Sequence, residues 1–138
     1  LIPFYPYLCK KSTMNKELIE HYNMHMDVKF GGLELIDVSA IAAESKEKWF
    51  NQTLTRVNDS VVRIGVIEGE FHWHKHDNDD EFFYVTEGLL LIDLEDRTVE
   101  LKPGQGITVP KGVLHRTRAP QRTVILMVET ATIDPTGD

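Results

Sequence analysis

Three of the six histidines in this 138-residue chain fall in one short stretch, His72-Trp73-His74-Lys75-His76. In an extended segment alternate side chains share a face, so His72, His74 and His76 point the same way. Neighbours two apart on that face are separated by ~7 Å, at a rise of ~3.4 Å per residue. Two imidazoles leaning inward from there can each set a nitrogen ~2.1 Å from a shared ion. Glu81 opens the next apolar run and returns a carboxylate to the same point, and His115, after the turn Pro110-Lys111-Gly112, brings a third imidazole from a facing strand. Taking His74 and His76 as the pair leaves four residues before Glu81 and six more before Gly88. Taking His72 and His74 puts Asn78 or Asp79 where the acid should fall, so the first register is favoured. The metal ligands expected are His74, His76, Glu81 and His115. The competing reading is a structural remnant that holds no ion.

Three imidazoles and one carboxylate suit Fe, Mn, Ni, Zn or Cu alike, so the chemistry expected is that of one divalent transition metal of unspecified identity. One +2 ion beside one carboxylate leaves a local positive charge that attracts an anionic or oxygen-chelating small molecule, which favours Lewis-acid chemistry or O₂ activation over a purely structural ion. Strand parity supplies the surroundings. Phe83 and Val85 share the face of Glu81, and Thr117 shares that of His115; Tyr84 and Arg116 fall on the outer face. Arg63, alone as a charge within Val61–Ile67, is either an anion-binding pocket residue or an edge residue whose stem covers apolar surface. His72 is surplus as a ligand and becomes a pocket residue, so the substrate pocket is expected to contain His72, Phe83, Thr117 and Arg63. Asp77, Asp79 and Asp80 read as a solvated turn. His21 and His25 lack the Glu of a His-Glu-x-x-His pattern and read as an exposed helix face. No Gly-x-Ser-x-Gly elbow or phosphate-cradling loop occurs, and no catalytic group beyond the ion is assigned.

The elements that must position these residues are short β-branched and aromatic runs: Val61–Ile67, Phe71–His76, Glu81–Thr86, Leu89–Leu94, Thr98–Leu101, Gly106–Val109, Val113–Arg118 and Thr123–Thr130. Gly, Pro, Asp and Asn separate them, each a turn-former by its own mechanism. Crossovers too short for helices make this an all-β antiparallel barrel or jelly roll. Ahead of it, Asn15–Met26 has helical spacing and Gly31-Gly32 ends it. Leu33–Val38 suits a short strand, and Ile41–Phe50 suits one or two helical turns with Ser39 as N-cap. Residues 1–32 are read as an appendage, flexible or foreign to the native chain, and 33–138 as a single barrel domain. Val124–Val128 and Leu89–Ile92 are apolar on both faces, which requires cover outside the barrel as well as within. The appendage or a second subunit would provide it; a homodimer is the favoured expectation.

Composition narrows the partners. A net charge of −7 is the wrong sign for tracking phosphate backbones, so no nucleic acid is expected. The longest aliphatic run, Val124–Val128, is far short of the ~20 residues of a membrane-spanning helix. Cys9 is the single cysteine, excluding an internal disulfide framework and fitting a reducing, cytoplasmic setting. The order of Leu1–Leu8 and Lys10-Lys11 is the reverse of a secretory leader, and Met14 is an alternative start. Asn51-Gln52-Thr53 and Asn58-Asp59-Ser60 match glycan acceptors only by coincidence in that setting.

These residues carry a family resemblance. Gly69, His74, His76, Glu81 and Gly88 closely resemble the first cupin motif, and Gly104, Pro110, Gly112 and His115 resemble the second, with 15 residues (89–103) between the blocks. Two departures stand out: only four residues separate Gly69 from His74, and Ala119 stands where an asparagine sometimes follows the last histidine. Neither touches an expected ligand. The resemblance, covering about residues 61–130, implies a double-stranded β-helix with the metal inside, often as a homodimer. Cupins include oxygenases, isomerases, epimerases, decarboxylases, lyases and non-catalytic binders, so the fold does not decide the activity. The expectation is a metal-dependent enzyme, isomerase- or dioxygenase-type, acting on a small oxygenated metabolite such as a sugar or organic acid. The alternative is a non-catalytic binding or sensing protein, and the third is an inert scaffold.

Overall fold

A computed structural model describes residues 16–138; Leu1–Leu8, Cys9, Lys10-Lys11 and Met14 lie outside the described residues. The strands are β1 (Met24–His25), β2 (Trp49–Val57), β3 (Ser60–Glu70), β4 (Glu81–Glu87), β5 (Leu90–Leu94), β6 (Thr98–Leu101), β7 (Gly106–Val109) and β8 (His115–Thr130), and a helix, α1 (Val38–Glu44), precedes β2. They join in the order β1-β2-β3-β8-β4-β7, with β5 pairing β6 and β8. All pairings are antiparallel except the short β1–β2 contact. The all-β barrel expected from the turn pattern is therefore present.

Strand β8 organises the barrel. Its early residues pair with β5, and its later ones with β3 and β4. The odd-numbered residues His115, Thr117, Ala119, Thr123, Ile125, Met127 and Glu129 are all buried. Two separate runs, Val113–Arg118 and Thr123–Thr130, were expected here. They are one strand, because Pro120 sits exposed at a corner where no ladder donor is needed. The interior core gathers Ile67, Phe83, Val85, Leu90, Ile92, Val109, Ile125 and Met127.

The back of β2, β3 and β8 has its own layer. Leu54, Ile64, Val66 and Val124 pack against Ile41 and Ala42 of α1, flanked by Phe30, Ile36 and Val38. The outward face of Val124 is thus covered by residues 30–42 of the same chain. Asp37, not Ser39, caps α1, accepting from the Ala40 amide at 3.0 Å. The helix ends at Glu44, short of the span to Phe50 expected from the sequence, and Leu33–Val38 forms no strand. Helical structure in the region 15–26 stops at residue 21, and Met24–His25 lies along Asn51–Gln52. There Tyr22 and Met24 are buried against Phe71, so the described part of the N-terminal segment is docked on the barrel.

On the outside of β5 and β8, Asp93 accepts from Arg116 Nε at 2.8 Å, Arg118 Nε at 2.7 Å and Thr98 Oγ1 at 2.7 Å. The Arg118 guanidinium first, with Thr98 and Arg116, holds this carboxyl well below the usual range. A depressed folded pKa stabilises the fold above the unfolded value, ~3.9, and that contribution is lost as pH falls toward the folded one. Asp93→Asn should therefore cost about 1–2 kcal/mol at pH 7, moderated by the partly exposed arginines. The gap between wild type and variant should shrink below pH ~4. Urea midpoints at pH 7 and near pH 2.5 check this; a gap that is constant across that range refutes it.

Candidate metal centre

The histidine stretch is not a regular strand, as had been expected of Phe71–His76. It crosses the end of the barrel between β3 and β4, pinned at single points. The Phe71 amide donates to the Thr117 carbonyl at 2.9 Å, His74 and His115 exchange backbone bonds at 2.9 Å each way, and the Gly112 amide donates to the His76 carbonyl at 2.7 Å. The exposed Trp73 and Lys75 nevertheless alternate with the three imidazoles, whose neighbouring rings lie 5.2 and 5.0 Å apart. His74 and His76 are buried, whereas the His72 ring lies between Tyr22 Oη at 3.2 Å and the Thr136 carbonyl at 2.6 Å. His72 therefore ties the histidine segment to the N-terminal segment and the C-terminal residues, and it is absent from the cavity wall.

His74, His76, Glu81 and His115 converge, each offering one ligand atom, all within 4.8 Å of one another, and all four residues are buried. Nitrogens and oxygens held ~2.1 Å from one ion lie at most ~4.2 Å apart, so the group needs to contract by less than an ångström to close on a cation. Glu81 Oε1 lies 3.7 Å from His76 Nε2 and 3.5 Å from His115 Nε2. The tautomers suit the task. His74 Nδ1 donates to the His72 carbonyl at 2.9 Å, and His115 Nδ1 to the Val113 carbonyl at 2.8 Å, leaving each Nε2 with its lone pair free. Nε2 of His76 and of His115 are buried without a hydrogen-bond partner, as is His76 Nδ1. Buried polar atoms are normally paired, and a divalent cation would satisfy both Nε2 atoms at once. The donor set therefore fits a transition-metal ion.

The electrostatics point the same way. Burial, then the neighbouring His115, pushes His74 down to about 3, so it stands neutral and ready to ligate. At His76 burial opposes the charged form, but Glu81, with Asp138 and Asp79 beyond, outweighs it and raises the imidazole. Burial likewise works against the Glu81 anion, yet the neighbouring Glu129, His115 and His76 hold it well below the ordinary range. Burial and then Glu81 push Glu129 well above that range. Two adjacent buried carboxyls repel one another's charge, so ionisation favours Glu81 and disfavours Glu129.

A narrow cavity opens beside this group, lined by His74, Glu81, Phe83, Thr117, Arg63 and Glu129 among others. Phe83, Thr117 and Arg63 are thus brought together in its wall. Arg63 is 1% exposed, which rules out the edge placement that a strand arginine also permits. Its Nη1 lies 3.4 Å from Glu129 Oε1 and its Nη2 donates to Asn51 Oδ1. Glu129, Asn51 and Trp49 were not singled out from sequence. The available signal was a polar residue at an inward position of an apolar strand, as in Val128-Glu129-Thr130.

The C-terminal residues close one side. Pro135 lines the cavity. The Asp138 amide donates to the Lys75 carbonyl at 2.9 Å, and Asp138 Oδ2 accepts from the Asp77 amide at 2.6 Å. Asp80 Oδ1 accepts from the Lys111 amide at 2.9 Å and Asp79 accepts from Thr130 Oγ1, so the acidic connector is anchored at both ends and is not merely a solvated turn.

Comparison with known proteins agrees with this architecture. Over 91 residues the chain is 50% identical to the uncharacterized protein YdbB of Bacillus subtilis, covering 65% of this chain and 80% of that protein. Protein SchB of Streptomyces halstedii is 47% identical over 59 residues, 43% of this chain and 41% of SchB. A cupin-2 domain containing protein from Shewanella frigidimarina superposes with a TM-score of 0.67 at 31% identity, covering 70% of this chain and 94% of that one. No helix among the described residues is long and apolar enough to cross a membrane. The cupin domain family model matches residues 60–129, the span that carries all four converging side chains, and the chain belongs to the cupin family.

Proposed function

We propose that this protein binds one divalent transition-metal ion through His74, His76, Glu81 and His115 and acts on a small oxygenated metabolite, a sugar or organic acid, in an isomerase- or dioxygenase-type reaction. The observation that carries this reading is the pair of buried, unpartnered Nε2 atoms of His76 and His115 facing one carboxylate oxygen. When bound, such an ion supplies Lewis-acid polarisation of a chelating substrate or redox capacity. The protein supplies the rest. Phe83, Ile67, Ile125 and Met127 give the cavity an apolar wall that excludes water, and Thr117 provides a hydroxyl on the His115 side. Glu129, pushed well above the ordinary carboxyl range by burial and by Glu81, lines the cavity beside that carboxylate.

The test begins with protein purified without chelator or added metal. It is assayed for bound metals, then loaded anaerobically with Fe(II) or Mn(II) and screened against small hydroxy acids, hydroxyketones and diketones by oxygen uptake and by NMR. Metal-dependent turnover of at least one member, lost in His115→Ala, is expected. Tight capture without turnover under every metal would make the protein a binder, and failure to retain any ion would end the metal reading altogether.

A further inference from the structure

The cavity wall contains donors that the four ligands do not use. Arg63, fully buried on β3, spends its Nη1 on Glu129 and its Nη2 on Asn51, but its Nε–H has no partner among the described residues. Trp49 on the neighbouring strand β2 lines the same cavity, and its Nε1–H is likewise buried and unpartnered. The β2–β3 register sets Trp49 opposite Ile67 and Arg63 opposite Thr53, so both side chains belong to one inward-facing patch of the two strands. Buried N–H groups left unpaired are costly, and two in one cavity, one on a guanidinium, call for an acceptor from outside the chain. Water accepts readily but brings no charge to match the guanidinium. A carboxylate offers two oxygens to two donors and a negative charge to Arg63, and charge-assisted bonds of this kind are the stronger ones.

We infer that Arg63 Nε and Trp49 Nε1 form a carboxylate-binding point in the cavity, separate from the metal ligands, so that the metabolite is a small acid with chelating oxygens at one end and a further carboxylate at the other. This rests on the metal-centre reading for its chelating end only. Trp49 and Arg63 act as specificity-determining residues: they select the acid over its uncharged-tail analogue. Thr117 and Phe83 then define the passage between the two ends.

The experiment compares malate with 2-hydroxybutyrate, which keeps the hydroxy-acid head and lacks the second carboxylate. Full-chain protein loaded with Mn(II) is titrated with each by calorimetry, which reads every variant, and a Trp73→Phe background lets fluorescence report Trp49 wherever that residue is kept. Trp73 is 43% exposed and stacks on Arg116, outside the cavity. Malate should bind about tenfold or more tighter, the discrimination expected of a charged hydrogen-bonded group. Trp49→Phe, which keeps the ring and loses the N–H, and Arg63→Lys, which keeps the charge and loses Nε, should each reduce that preference to below about threefold. Manganese affinity should be unchanged in Trp49→Phe. Equal affinities in the parent, or a preference that survives Trp49→Phe, overturns the inference; that variant decides even if Arg63→Lys fails to fold. A chain that takes up no manganese overturns the metal reading instead. In that case metal-free protein titrated with propionate still decides the carboxylate point. Saturable change in Trp49 emission that is absent in Arg63→Lys supports it, and no change overturns it.

Discussion

His115→Ala and His74→Ala should each lower affinity for a divalent ion at least about a hundredfold, because even residues that merely orient ligands are worth 10–100-fold. In each histidine Nδ1 is already committed to a backbone carbonyl, which aims Nε2 at the shared point. The loss is also read as stability. A ligand present at 100 times its Kd stabilises the native state by about 2.7 kcal/mol, which for a domain of this size raises the unfolding midpoint by roughly 10 °C. Wild-type protein should show that rise on adding Mn(II) or Zn(II) and reverse it with chelator; both alanine variants should show little or none. Lys75→Ala is the control, since Lys75 lies between His74 and His76 but points to solvent and pairs with Asp77 at 2.6 Å. A His115→Ala protein that retains one ion per chain at wild-type affinity would sink the assignment.

Most of the centre was legible because its constraints are local or carried by turn chemistry. His74, His76 and Glu81 stand within eight residues of one another, and His115 follows a Pro-x-Gly turn whose glycine amide holds the His76 carbonyl. What escaped notice has a physical reason. β2 reads poorly as a strand because its inward positions include Asn51 and Thr53, buried but polar, and Gln52 spends its amide on the carbonyls of Asp27 and Thr53. A strand that faces a polar cavity loses the alternation that identifies strands. The same cavity hides Glu129: in an apolar run it looks like a solvent-facing position, and only the curl of β8 brings it to Glu81 while His115, at the other end of the strand, touches the same carboxylate. Alternation does set His72 beside His74, their rings 5.2 Å apart, but the His72 nitrogens are taken by Tyr22 Oη and the Thr136 carbonyl, partners that sequence spacing does not reveal. The cover over Val124 was ambiguous in principle, since an apolar outer face states that something packs there without stating what. Here it is α1 and the segment leading into it.

Gly88→Ala should be the most damaging single methyl in the barrel, costing about 3–4 kcal/mol out of a total stability of ~5–15. Gly88 turns the chain between β4 and β5 at φ +85°, a conformation that costs an L-residue roughly 1–2 kcal/mol. An added Cβ would also sit 2.6 Å from the Arg122 carbonyl oxygen and 2.8 Å from Thr123 Cα, and would strike Thr123 Oγ1. That hydroxyl is a latch: it accepts from the Leu89 amide at 3.0 Å and lies 2.9 Å from the Gln121 carbonyl, holding the turn against the corner of β8. Backbone has no rotamer into which to retreat, so overpacking adds a further 1–3 kcal/mol. Gly104→Ala separates the two contributions, because Gly104 has nearly the same φ, +84°, with open space where its Cβ would go. It should lose only the conformational part, about 1–2 kcal/mol. Chemical denaturation of the three proteins without metal reads the difference directly. If Gly88→Ala unfolds no more easily than Gly104→Ala, the contact with β8 carries no weight. The glycine seven positions after Glu81 would then be explained by its backbone angle alone.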